Sequence, residues 1–273
     1  MRQPVDLSAH INQNVFRGGP ADFCVSIKPI CFRDNGSLND IPRRFCVVRD
    51  DTSEPLAIVS DRYSVVPHTR ILDATESALE SLDVGPVPRG IYVDRNGARM
   101  RALFKFPAFS EPVLGDDDIC PCFMIQNTYD GTSRIALQIG AFRFVCSNLA
   151  VGGGGLFAGG FMAVHVGEID VERVIEQLAA YLTEFSAIAA LYREWAQRQA
   201  DAQQISEVLR SLPARPLKSL RETFDRTRVA TVYAAYNAAT DYATHKMRSA
   251  RAAFDLLARV NRAFQDTFPL TGA

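Results

Sequence analysis

Residues able to do chemistry are few and scattered in this chain. Cys120-Pro121-Cys122 is its closest thiol pair, yet it offers two ligands where a structural zinc takes four. Core packing is the plainer reading. Asp116-Asp117-Asp118 and Asp130 supply oxygens of the kind Mg²⁺ takes. The triplet sits in a Gly/Pro-flanked loop that suits solvated charge, and Asp130-Gly131 reads as a turn. His10, His68, His165 and His245 are far apart and have no His-x-x-x-His spacing. Cys146 ends an apolar run and reads as a packed thiol. No catalytic group, no metal and no cofactor is implied.

The cations are better organised. Along Ala98–Phe106, Met100, Ala102, Phe104 and Phe106 alternate with Arg99, Arg101, Leu103 and Lys105. A strand would therefore present a core face and a basic stripe. Arg134 and Arg143 follow on neighbouring strands, Arg248 and Arg251 lie in the C-terminal part, and Tyr129 falls at an expected hairpin tip. Cations that track phosphates, with an aromatic ring on which a base stacks, make a single-strand-binding surface. Taken singly, each arginine also fits a solvated face.

The elements that would position these residues change character near Gly152. Before it, strands are expected at Phe23–Phe32, Arg44–Arg49, Leu56–Ser60, Tyr63–Val66, Ile91–Asp94, Ala98–Phe106, Phe123–Thr128, Arg134–Ile139 and Phe142–Val145. A helix opens at Pro67 and runs to about Leu82. Turns fall at Asn96-Gly97, where both residues tolerate positive φ, at Asp130-Gly131 and at Gly140. Gly152–Gly155 and Gly159-Gly160 lack the Gly-Lys-Ser/Thr ending of a phosphate loop and read as a linker. A helix from Glu168 to Gln199 carries the heptad seam Val171, Ile175, Leu178, Leu182, Phe185, Ala189, Tyr192 and Ala196. It would span roughly 50 Å. A second seam runs from Tyr236 to Phe264, with Pro213 and Pro216 breaking the chain between the two.

Strands first and helices after give an α+β class: an antiparallel sheet with hairpins backed by helices, then a long-helix C-terminal part. Residues 1–151 form the mostly β part with one helix, 152–167 the connector, and 168–273 a helical part packed on the same domain. Helices this long also suit packing between copies, so a homo-oligomer is expected.

Composition narrows the class. Apolar residues at 47% and charged ones at 22% are ordinary for a globular chain. No apolar run reaches the roughly 18–20 residues a membrane helix needs, and the N-terminus lacks a signal-peptide core. Reduced cysteines in apolar runs suit the cytoplasm. Between Glu207 and Arg262 eleven cations face five acids, a net +6 that leaves −7 on the rest of a chain totalling −1. The C-terminal part is basic enough to meet a polyanion or an acidic neighbour.

Three segments, in order, carry a resemblance: Val59-Ser60-Asp61-Arg62-Tyr63-Ser64-Val65-Val66, Asn127-Thr128-Tyr129-Asp130-Gly131-Thr132 and Arg143-Phe144-Val145-Cys146-Ser147-Asn148-Leu149. Tyr236-Asn237-Ala238-Ala239-Thr240 is a weaker fourth. Together they resemble a phage- and plasmid-borne family, the domain of unknown function numbered 932. His165 departs from it, standing in Val-His-Val where the family has a His-Thr pair. The strand–helix order is also similar to single-strand annealing proteins of the RecT and Rad52 kind. The resemblance implies a mobile-element protein acting near replication and repair in a bacterial cytoplasm.

The function expected is single-stranded DNA binding in annealing or recombination, without catalysis. A regulatory protein-interaction factor, such as an inhibitor of a host defence system, is the alternative. A nucleic-acid enzyme is the third reading.

Overall fold

The computed structural model describes residues 18–131, 135–143, 149–151, 160–163, 171–212, 221, 222, 224, 230–247 and 250–270. Two antiparallel sheets and five helices fill these segments. The first sheet has the order β1-β2-β3, with β1 Val25–Asp34, β2 Ser37–Arg49 and β3 Pro55–Ser60. Asn35-Gly36 turns β1 into β2 with φ of 47° and 85°, the positive pair a two-residue hairpin requires. Both strands run past their expected ends at Phe32 and Arg44, and form an arm exposed from Cys31 to Arg44. Tyr63–Val66, expected as a strand, is irregular. It leads into α1, His68–Glu80, which starts directly after Pro67.

The second sheet has the order β10-β8-β7-β5-β4, with β6 on β7 and β9 on β8. Its strands are β4 Arg89–Asp94, β5 Arg99–Lys105, β6 Glu111–Leu114, β7 Asp117–Thr128, β8 Ile135–Arg143, β9 Leu149–Val151 and β10 Gly160–Ala163. Gly140 is no turn. It lies inside β8, between Cys122 of β7 and Val151 of β9, where absence of a side chain suits close strand neighbours. Nor is the expected connector free of structure, since Gly160–Ala163 pairs with Ile135–Gln138.

The helices that follow are α2 Val171–Gln197, α3 Ala202–Ser211, α4 Val232–His245 and α5 Ala250–Thr267. The α2 seam is buried at Leu178, Leu182, Phe185, Ala189, Tyr192 and Ala196, but so are Tyr181, Ile188, Leu191 and Trp195. This stripe is wider than a coiled-coil seam and packs on β6, β7, β8, α1 and α4 of its own chain. The second seam is divided between α4 and α5, which pack on each other. Where they meet α2 lies an aromatic core. Tyr236 donates to Asn261 Oδ1 at 2.6 Å, so the Tyr192 hydroxyl, 2.7 Å away, donates to Tyr236. The Trp195 indole N–H donates to the Phe268 carbonyl at 2.8 Å.

Candidate nucleic-acid interface

The two sheets meet at a buried polar joint around His68. Its Nδ1 accepts from the Asn127 amide at 2.9 Å, and its Nε2 donates to the Gly97 carbonyl at 2.9 Å. The same Asn127 nitrogen donates to the Val66 carbonyl at 2.9 Å. That second bond decides the first. Turning the amide over would set its oxygen against the Val66 oxygen, so Asn127 presents N–H and the imidazole holds its proton on Nε2. The His68 backbone N–H donates to the Tyr129 hydroxyl at 2.8 Å, and the two rings stack with centroids 4.1 Å apart. Tyr63 donates to the Thr128 carbonyl at 2.8 Å. Residues from two of the segments that carried the family resemblance thus meet on one histidine.

This joint corrects the expectation for Tyr129. It is 0% exposed and offers no ring to a base. β7 ends at Thr128, and Tyr129 turns inward with its N–H on the Ala98 carbonyl at 2.7 Å. Burial pushes its phenol up, as it does that of Tyr63.

Across the sheet, cross-strand register places the cations. Tyr92 pairs with Arg101 and Arg101 with Gln126; Asp94 pairs with Arg99 and Arg99 with Thr128. Leu103 and Lys105 continue the face. Contrary to the expected open stripe, Arg101 is 8% exposed and Leu103 6%. β5 is an interior strand between β4 and β7. Burial lowers the Arg101 pKa, opposed by Asp94 and Tyr92; the guanidinium keeps its charge. Its nearest carboxylate oxygen, Asp94 Oδ2, is 3.8 Å away. Arg101 Nε and Asp94 Oδ1 are both buried without a hydrogen-bond partner. Arg99 is held by Asp130 at 2.8 Å, and the Lys105 ammonium sits 4.8 Å from the Phe142 ring centroid.

Arg143 faces elsewhere. It makes a two-pronged pair with Asp117 at 2.5–2.8 Å and lies 5.5 Å from the Tyr233 ring centroid, tying β8 to the start of β7 and to α4. Arg134, Arg248, Cys146, Asn148, His165 and the Arg251 side chain lie outside the described residues. Tyr92 was missed, although the Asn96-Gly97 turn aligns it opposite Arg101 by simple counting.

Of the metal candidates, Asp116 and Asp118 are exposed, whereas Asp117, Asp130 and the Cys120–Cys122 pair are held within the fold. Asp117 is committed to Arg143 and Asp130 to Arg99. Burial pushes the Cys120 thiol up to about 12 and Cys122 well above its ordinary value. Among the described residues no group of three His, Cys, Asp or Glu is placed to hold a metal ion. No helix among them is long and apolar enough to cross a membrane.

Residues 55–265 match the family described as Domain of unknown function (DUF932). The chain belongs to that family. Strands β1 and β2 precede the DUF932 match, while the joint, the β5 face and nearly all of the helical part lie within it. No curated protein and no solved structure matches the chain.

Proposed function

We propose that the protein binds single-stranded DNA on the Tyr92–Arg101–Gln126 face, as a non-catalytic annealing or recombination accessory of a mobile element in its bacterial host. One observation carries this reading: a buried guanidinium whose nearest carboxylate is too distant for a close ion pair and whose Nε has no acceptor. A desolvated, half-satisfied cation is costly, and a phosphate oxygen supplies the missing acceptor. Same-face residues on a strand repeat about every 6.8 Å, so Arg99, Arg101 and Lys105 form a line rather than a point. Tyr92, half-buried beside Arg101, provides a ring for a base. Such a surface needs no donors to base edges and leaves them free to pair.

The test is fluorescence anisotropy with a labelled single strand of about 40 nucleotides, longer than the ~4–16 one binding fold covers. It is run against matched duplex at two salt concentrations. Salt-sensitive binding that prefers the single strand, and that weakens about tenfold or more in Arg101→Gln, is expected. Equal binding to duplex, or an Arg101→Gln variant with unchanged affinity, overturns the assignment. A protein-interaction factor, such as an inhibitor of a host defence, is the second reading. It is favoured by Ile27, Phe32, Leu38, Ile41 and Ile58, all exposed on the first sheet.

A further inference from the structure

The chain has two Asn-Gly dipeptides, and the fold treats them oppositely. Asn96-Gly97 is pinned. The Asn96 side-chain amide donates to Glu54, and its carbonyl accepts from the Arg49 guanidinium at 2.9 Å. Gly97 is buried with the Phe23 ring against it. Asn35-Gly36 instead forms the tip of the β1–β2 arm, where every residue from Cys31 to Arg44 is exposed. Neither the Asn35 side-chain amide nor the Gly36 N–H has a hydrogen-bond partner among the described residues. A Cβ at Gly36 would meet nothing within 4 Å, so the nitrogen beside the Asn35 side chain is uncrowded.

A two-stranded hairpin open on both faces is marginal by itself in water, and its turn opens locally. We propose that Asn35 is a site of spontaneous covalent modification, in which the Gly36 nitrogen attacks Asn35 Cγ. Solvent takes the Gly36 amide proton, the nitrogen pair bonds to Cγ, and the side-chain nitrogen leaves as ammonia. The product is a cyclic imide, which water opens at either carbonyl. Breaking the new Cγ–N bond leaves aspartate on the ordinary backbone. Breaking the original peptide C–N bond leaves isoaspartate, with the chain running through the side-chain carbon. Water is consumed and ammonia released in equal amounts, and nothing is oxidised or reduced. Both products set a carboxylate beside Asp34. Isoaspartate also adds a backbone carbon to the loop. Loop length fixes hairpin register, so the pairing of Asp34 with Ser37 and Arg33 with Leu38 is lost. The inference stands apart from the nucleic-acid reading and needs no DNA.

The experiment is peptide mapping by mass spectrometry on the full chain, aged in oxygen-18 water and digested in ordinary water. Only conversion during ageing then carries the label. Trypsin releases residues 34–43, which also contain Asn39 followed by Asp40 rather than glycine. Labelled aspartate and isoaspartate are expected at Asn35, while Asn39 and Asn96 keep their amides. Isoaspartate separates imide opening from direct hydrolysis of the amide. Gly36→Ala shields the attacking nitrogen and should lose most of the conversion. The same ageing in denaturant should convert Asn96 alongside Asn35, because only the fold distinguishes the two. Any of four results overturns the inference: native Asn35 that keeps its amide, aspartate without isoaspartate, Asn96 converting as fast as Asn35 in the native chain, or Asn96 inert in denaturant.

Discussion

The side-chain amide of Asn127 donates to Nδ1 of His68 at 2.9 Å, across 59 residues of sequence. The imidazole is thereby held as the Nε2–H tautomer and aimed at the Gly97 carbonyl of the β4–β5 turn. Three expectations follow for this pair, one spectroscopic and two from substitution. Nitrogen-15 NMR should show His68 protonated on Nε2 alone at neutral pH. Asn127→Ala should cost about 1–3 kcal/mol, as for an unsatisfied buried group. Asn127→Asp should cost more, about 3–5 kcal/mol, because a carboxylate then faces the Val66 carbonyl. Urea denaturation measures both; equal losses would contradict the assigned orientation.

Gly97 holds the other side of the joint. Its φ is +100°, and a Cβ there would lie 2.6 Å from Cζ of Phe23. The Phe23 ring is itself capped by the Arg49 guanidinium, 3.9 Å from its centroid. Gly97→Ala should therefore cost about 1–3 kcal/mol through the backbone alone, with the clash added. Phe23→Leu in the same chain should recover the clash but not the backbone part. A double-mutant cycle in denaturant reads the difference.

Tyr129 packs in the joint, and on the proposed reading Tyr92 takes the stacking role expected of Tyr129. Tyr129→Phe removes the hydroxyl that accepts from His68 N–H. It should lower stability by about 1–3 kcal/mol while single-strand affinity stays within twofold. Tyr92→Ala should weaken single-strand binding by about 1–3 kcal/mol, the worth of one stacked base. Anisotropy and thermal melting on both variants separate the effects. A Tyr129→Phe variant that binds poorly yet melts normally would return that residue to the site.

Alkaline pH should destabilise the fold. Burial holds the Cys120 thiol up near about 12, against an ordinary 9.0, and raises Tyr129, Tyr181, Tyr192 and Tyr236 as well. Above about pH 9 the unfolded chain releases protons the native state retains, so stability falls as pH rises. The melting temperature should be insensitive to these groups below pH 9 and decline between about 9 and 12. Thiol labelling gives the same partition in space: exposed Cys24 and Cys31 react in the native state, whereas Cys120 and Cys122 wait for denaturant.

What could be read in the sequence was local. The helix after Pro67, the long helix ending at Gln197 and the Asn96-Gly97 hairpin follow from periodicity and turn chemistry within a dozen residues. Asn35-Gly36 carries the same dipeptide signal, but the polar run Arg33–Arg43 hid the strands around it. The Gly140 reading failed because glycine permits a turn and a crowded central strand alike, and only neighbours decide between them. The His68 joint had no local signature, since its partners lie 29 to 61 residues away. Alternation placed Arg99, Arg101 and Lys105 on one face of β5, but it could not tell that Arg101 and Leu103 on that face would be buried.

Trp195 is the chain's single tryptophan, fully buried, with its indole N–H on the last turn of the helical part at Phe268. Intrinsic fluorescence therefore reports on one place in the molecule. A red-shifted emission at denaturant concentrations where strand signals persist would mark the C-terminal helix peeling away first. A coincident shift would mean that helices and sheets let go together.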